Sequence, residues 1–162
     1  MKRRLVFGHI VNHRECKGTR FVLAAMHQAR MLGADFGFVF AERLPYTLAT
    51  ELYTHVDILI EQFVIGFYGL QACEFALMSK PVIVWLDERD LFLLPPHQRA
   101  AIPFINSPPE KLVETIIEVC GMSSEALADI GRRGKEYVKR YHSDISITRE
   151  IMNGLFGKEV KS

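Results

Sequence analysis

The stretch Asp57–Trp85, DILIEQFVIGFYGLQACEFALMSKPVIVW, constrains this chain more than any other. Asp57 to Ile60 is an apolar strand closing on Glu61. Gly66 and Gly69 bracket a loop whose backbone can approach a ligand closely. Leu70 to Met78 reads as a helix carrying a single carboxylate, Glu74, and Pro81 to Val84 reads as a second buried strand. Strand, glycine-punctuated loop, helix and strand make a βαβ unit. Such units place their ligands at the carboxyl ends of the strands.

The flanking sequence repeats the alternation. Leu5-Val6-Phe7 begins a short strand ending near His9-Ile10, and a polar, basic loop runs from His9 to Gly18. Thr19 reads as the cap of a helix with Phe21, Ala25, Met26, Ala29 and Leu32 at helical spacing, and Gly33 ends it. Lys17, Gly18 and Thr19 thus sit at a helix amino end, where free N–H groups and a lysine suit phosphate; read blandly, the loop is a solvated connection, and its spacing is not that of a P-loop. Phe36 to Phe40 reads as a strand covered on both faces. Leu44-Pro45 starts a short helix through Leu48, Leu52 and Tyr53, with Pro45 in its first turn.

Beyond the central unit, Asp87 to Ala101 reads as an ordered surface loop, and Pro103 to Asn106 as a short strand. Ser107-Pro108-Pro109-Glu110 reads as a capped helix start, with Leu112, Val113, Ile116, Ile117 and Cys120 as the buried face behind it. Ser124 to Tyr141 is a more charged helix, weakened by Gly131 and Gly134 by about 1 kcal/mol each on propensity. Ser143 caps a last helix through Ile147, Ile151, Leu155 and Phe156. Strands alternating with helices at crossover spacing predict an α/β fold: a Rossmann-like, doubly wound parallel sheet of about five strands.

Composition removes several functions. The 162 residues suffice for one domain with a core, and the formal net charge of +1 gives no basis for general binding to nucleic acid or an anionic membrane. The three cysteines, Cys16, Cys73 and Cys120, are widely spaced without a CxxC, which argues against a disulfide framework or zinc site and fits a reducing, cytoplasmic setting. Met1-Lys2-Arg3-Arg4 is basic, but the apolar run after it is too short and polar for a signal peptide, and no run approaches membrane-spanning length. There is no Ser-His-Asp spacing, HExxH or acidic metal cluster.

Three strings together carry a resemblance: Lys17-Gly18-Thr19 opening a helix, Asp57 to Ile60 as a strand, and GLQACEFALMSKPVIVW at 69–85. With GRRGKEYVKRYHS at 131–143, they resemble the carboxyl-terminal domain of group 1 (GT-B, family 4-like) glycosyltransferases, over nearly the whole chain. The family's corresponding stretch reads roughly G-x-x-x-x-E-A-M-A-x-G-x-P-V. The resemblance implies a nucleotide-diphosphate sugar (UDP- or GDP-sugar) as donor and a hexosyltransferase-like activity without bound metal or cofactor. It implies Lys17 on the donor diphosphate with Gly18 and Thr19 beside it, Gly69 and Leu70 as backbone against the diphosphate, and Glu74 on the ribose hydroxyls. Gly66 and Tyr68 belong to the same donor-binding loop, and Lys17, Arg14 and Glu74 are the residues expected to serve the transfer itself. Retention of configuration is the outcome the resemblance favours.

The chain departs from the family in three places. The family's earlier glutamate, which contacts the donor sugar, falls on Gly66; Glu61 is a substitute, or else a strand-terminal surface carboxylate, the slightly favoured reading. The usual arginine five residues before the lysine is Asn12, with Arg14 as a stand-in for the second phosphate contact or a solvated loop residue. Ser79-Lys80 replaces a glycine turn, read as a simple change of turn residue. GT-B enzymes also have an amino-terminal acceptor domain, which this sequence does not contain. The expectation is therefore one half, either a piece of a longer enzyme or a free-standing half needing a partner. A non-catalytic nucleotide-sugar sensor is the alternative; a receiver-like signalling domain is disfavoured because the first strand ends in His9 without an acidic cluster.

Overall fold

Phe7, Ile58, Ile60 and Ile83 point to one face of the sheet and Leu59, Val82 and Val84 to the other, so each face has its own core. The computed structural model describes residues 3–148. Its strands are β1 (Val6–Val11), β2 (Gly37–Glu42), β3 (Ile58–Ile60), β4 (Val82–Val84) and β5 (Ile105–Asn106). They form one five-stranded parallel sheet in the order β2-β1-β3-β4-β5. The chain leaves β1 toward β2, then returns past it to β3. The loops after β1 and β3 therefore part from each other, and this switch point is where open α/β sheets leave a crevice. Gly8, in the middle of β1, lets β1 and β3 pack closely: a Cβ on it would stand 2.6 Å from a methyl of Val56.

The helices are α1 (Arg14–Lys17), α2 (Thr19–Met31), α3 (Tyr46–His55), α4 (Leu70–Leu77), α5 (Glu88–Leu91), α6 (Pro96–Ala100), α7 (Leu112–Gly121) and α8 (Ser124–Tyr141). α2 and α7 pack together over the face that holds Phe7 and Ile58. α4 and α8 pack over the other, with Phe75 and Tyr137 in the core between them. Among the described residues no helix is long and apolar enough to cross a membrane.

The structure corrects several local expectations. Asp87–Ala101 is not an irregular loop: Asp87 caps α5 by accepting from the Arg89 N–H, and Pro96 starts α6. Ser107 does not cap a helix. Pro109 restricts Pro108 to an extended conformation (φ −64°, ψ 153°), so the chain first makes a 3-10 turn at Pro109–Lys111 and α7 begins only at Leu112. Ser107 is fully buried instead and accepts from the Thr115 hydroxyl at 2.9 Å. Pro45 is the cap of α3, one residue before its first turn.

Ser79-Lys80 is more than a change of turn residue. Ser79 adopts the left-handed conformation (φ 57°), and Lys80 Nζ donates to the carbonyls of Tyr53, Thr54 and Val56, closing the carboxyl end of α3. Ser143 accepts from the Ser146 N–H as a helix cap, but Ile151, Leu155 and Phe156 lie outside the described residues.

Candidate functional site

The crevice at the switch point is a cleft of about 380 Å³. β1 delivers Val11 and Asn12 to it, α1 delivers Cys16 and Lys17, and α3 supplies Tyr46 and Tyr53. α4 points its amino end at the cleft and contributes Leu70, Gln71 and Glu74. The first-turn N–H groups of a helix have no intrahelical partners, so this end offers donors and a positive potential. The side-chain amide of Gln71 pins α4 to the end of β1 by donating to the Ile10 carbonyl at 2.9 Å, and to the Tyr53 hydroxyl at 3.1 Å.

Lys17 is held from two directions. Its carbonyl accepts from the Phe63 N–H at 3.1 Å, fixing the end of α1 to the loop after β3. Its ammonium donates to Glu61, and the Gln62 side-chain oxygen lies 3.4 Å away. Glu61 is no surface carboxylate: it is wholly buried, and its second oxygen accepts from the Gly69 N–H at 3.1 Å. One buried carboxylate therefore ties the lysine to the residue that caps α4. Gly69 must be small, because a Cβ there would stand 2.8 Å from Glu61 Oε1. A strand-terminal acid reads as exposed from sequence. The one signal in favour of burial was the apolar run Ile58-Leu59-Ile60 directly before it, which places the strand end inside the protein.

Glu74, half-buried, carries a different set of partners. The Tyr46 hydroxyl donates to one oxygen at 3.1 Å and the Tyr53 hydroxyl to the other at 3.3 Å. Hydrogen bonding to Glu74 holds the Tyr46 phenol protonated above its usual range. Burial does the same for Tyr53, with the Glu74 charge adding to it. The carboxylate keeps spare lone pairs toward the cleft, which suits a vicinal diol.

The other residues singled out from sequence sit elsewhere. Arg14 donates to Glu42 at 2.7 Å and lies over the Phe40 ring. With Gly18 and Thr19 it lines a second hollow of about 460 Å³. Gly66 donates its N–H to Asp90 at 2.8 Å, and a Cβ there would stand 2.3 Å from that of Asp87. The Tyr68 ring is in the core, its hydroxyl 2.7 Å from that of Tyr137 and 2.9 Å from His142 Nε2. Asn12 does line the cleft, as a neutral group. Among the described residues no three His, Cys, Asp or Glu side chains come together as metal ligands.

Thr19 does not cap α2. Gly18, at φ 68°, makes the turn between α1 and α2, while the Thr19 hydroxyl donates to His9 Nε2 at 2.9 Å. His9 Nδ1 donates to the Ile60 carbonyl at 2.8 Å, so the ring joins β1, β3 and α2, and burial keeps it neutral. Burial, opposed by the hydrogen bond to Ile60 and helped by the Lys17 charge, lowers its pKa from 6.5 to about 4. The unfolded chain takes up that proton at a higher pH than the folded one does. Stability is therefore lost as pH falls from 6.5 toward about 4. The expected loss is about 3 kcal/mol. Urea unfolding of wild type and His9→Asn, from about pH 7 to about pH 4.5, isolates this contribution. Equal pH dependence in the two proteins would contradict it.

Scanned against protein-family models and against curated proteins, the sequence gives no match. Solved structures do match, and they define the class of the fold: it is that of the carboxyl-terminal half of a GT-B glycosyltransferase. One match is the C-terminal domain of a glycosyl transferase group 1 family protein, LpcC, from Francisella tularensis. The TM-score is 0.60 at 15% identity, over 86% of this chain and 87% of that one. A second is TarM, with TM-score 0.62 at 12% identity over 94% of this chain. A point mutant of S. aureus TarM, solved with Fondaparinux, alpha-GlcNAc-glycerol and UDP, gives the same values. The chain spans 36% of the length of TarM.

Proposed function

We propose that this chain is the donor-binding domain of a glycosyltransferase that moves a sugar from a nucleotide-diphosphate sugar to an acceptor. The observation that carries the reading is the convergence of Lys17, Glu74 and the amino end of α4 at Leu70 and Gln71 on one cleft at the switch point. The donor diphosphate lies against the amino end of α4, within reach of the Lys17 ammonium. Glu74 takes the ribose diol in competition with the two tyrosine hydroxyls. As the sugar–phosphate bond breaks, negative charge grows on the leaving diphosphate, and the fixed ammonium and amide N–H groups stabilise it. UDP- or GDP-sugars are the donors, and retention of configuration is carried by the family resemblance.

Calorimetric titration with UDP, GDP and ADP tests the reading. One of the three is expected to bind, and Glu74→Gln is expected to weaken it by about a factor of 10–100 through loss of charge-assisted hydrogen bonds. Failure of all three to bind the folded chain would refute the assignment, as would undiminished binding by the variant.

Transfer further requires an acceptor-side domain facing the cleft. The 162-residue chain alone is expected to bind donor weakly and to give no turnover. Sugar transfer by this chain to any acceptor would overturn that part. One observation favours a non-catalytic sensor as a second reading. Where the family has a sugar-contacting glutamate, Gly66 is enclosed by Asp87 and Asp90, so no side chain reaches the donor sugar from that position. Donor hydrolysis by this domain joined to an acceptor domain would exclude the sensor.

A further inference from the structure

Resting on the donor-site reading above, we propose that Glu61 sets the charge selectivity of the cleft: it disfavours the free nucleoside diphosphate, the product, relative to the sugar ester, the donor. Lys17 is the only Lys or Arg lining the cleft among the described residues. Its ammonium is bonded to a carboxylate with no exposure to solvent. The other cation of the segment, Arg14, is turned to Glu42, and Asn12 contributes no charge. Glu74 adds a further negative charge at the other end of the cleft. The phosphate seat is therefore built from amide N–H groups and an ammonium whose charge is already balanced.

Such a seat holds a diphosphate through directed hydrogen bonds and gives little return for extra charge. Above about pH 6 a terminal phosphate carries one more negative charge than the same phosphate esterified to a sugar. That additional charge faces the Lys17–Glu61 pair, with the Glu61 carboxylate on the far side of the ammonium. At a separation of about 5 Å and an effective dielectric constant of about 20, a unit charge alters affinity by about a hundredfold or more, of which screening at an open cleft leaves about tenfold. Glu61 touches neither ligand. It acts through Lys17 and Gly69, removing the advantage that the extra charge would otherwise give the spent nucleotide over the donor.

The test is the affinity of UDP, UDP-glucose, GDP and GDP-mannose at about pH 8 for wild type and Glu61→Gln, which keeps an acceptor for the Gly69 N–H. In wild type the free diphosphate and the sugar ester of the accepted base are expected to bind within about threefold of one another. In Glu61→Gln the free diphosphate is expected to gain about tenfold over the ester. A purely structural role would change both ligands by the same factor, and an unchanged ratio overturns the proposal.

If the variant does not fold, wild type alone decides. Its UDP to UDP-glucose ratio, or the guanosine equivalent, should move by less than about twofold between about 50 mM and about 500 mM NaCl. A strong preference for the free diphosphate at low salt overturns the proposal. Absence of binding by all four ligands would instead refute the donor reading, and this proposal with it.

Discussion

Lys17→Ala is expected to lower stability by about 3 kcal/mol, far more than truncation of a partly exposed lysine ordinarily costs. The reason is the partner left behind. Glu61 is fully buried, and without the ammonium it keeps only the Gly69 N–H as a donor. A buried charge stripped of its counter-charge is among the most costly single changes a protein can suffer. The double variant Lys17→Ala with Glu61→Gln should recover most of the loss, because a neutral amide can still accept from Gly69. Urea unfolding of the two variants beside wild type measures both effects. A Lys17→Ala protein as stable as wild type, or a double variant less stable than the single one, would contradict the account. The folded double variant should also lack nucleotide binding, which separates the loss of the cation from the loss of fold.

Gly131→Ala should reverse the sign that helix propensity predicts. In the interior of an 18-residue helix, the exchange ordinarily stabilises by about 1 kcal/mol. Here the added Cβ would lie 2.0 Å from the Ser79 carbonyl oxygen and 2.6 Å from its carbon. Both are backbone atoms of a turn that follows α4, so no side chain can rotate aside. α8 must move off α4, at a cost of about 3 kcal/mol. That corresponds to a fall of about 10 °C in Tm. Gly134, one turn on, is the internal control. Its Cβ would meet the Ala76 methyl at 3.3 Å and the Ala76 Cα at 3.7 Å, neither closer than 3 Å, and Gly134→Ala should be near neutral. Thermal unfolding of the two variants decides, and a stabilised Gly131→Ala would sink the explanation. Because α4 carries Glu74, the displacement should also weaken nucleotide binding.

These two residues mark where the sequence was legible and where it was not. The order of strands and helices follows from local pattern, because apolar runs and amphipathic periods are written in consecutive residues. Hence β3, α4, β4 and α8 lie within a residue or so of their expected bounds. The parallel sheet with helices on both faces follows from that alternation. What local pattern does not contain is the far side of each contact. Gly131 reads as a weak point of a helix until Ser79 is seen against it. Glu61 reads as an exposed acid until Lys17, 44 residues earlier, is seen to reach it.

Thr19 is the same kind of case, since its hydroxyl serves His9, ten residues earlier, and leaves the helix to be capped by Gly18. Ser107 looked like a cap because the pattern Ser-Pro-Pro-Glu fits one, but the second proline forbids the helical conformation the first would need. Of the residues named from sequence, Lys17, Leu70 and Glu74 line the cleft, while Gly69 stands behind it with its N–H on the buried Glu61; Tyr46, Tyr53 and Gln71 come from periodic helical positions that carry no distinguishing signal.

The most direct test of the central claim is residue-resolved: backbone amide shifts of the isotope-labelled chain, recorded as UDP or GDP is added. The account predicts saturable shifts concentrated at Lys17, Gly69, Leu70, Gln71 and Glu74, at the amino end of α4. Saturable shifts centred instead on the Arg14–Gly18–Thr19 hollow, or none with either nucleotide, would contradict it.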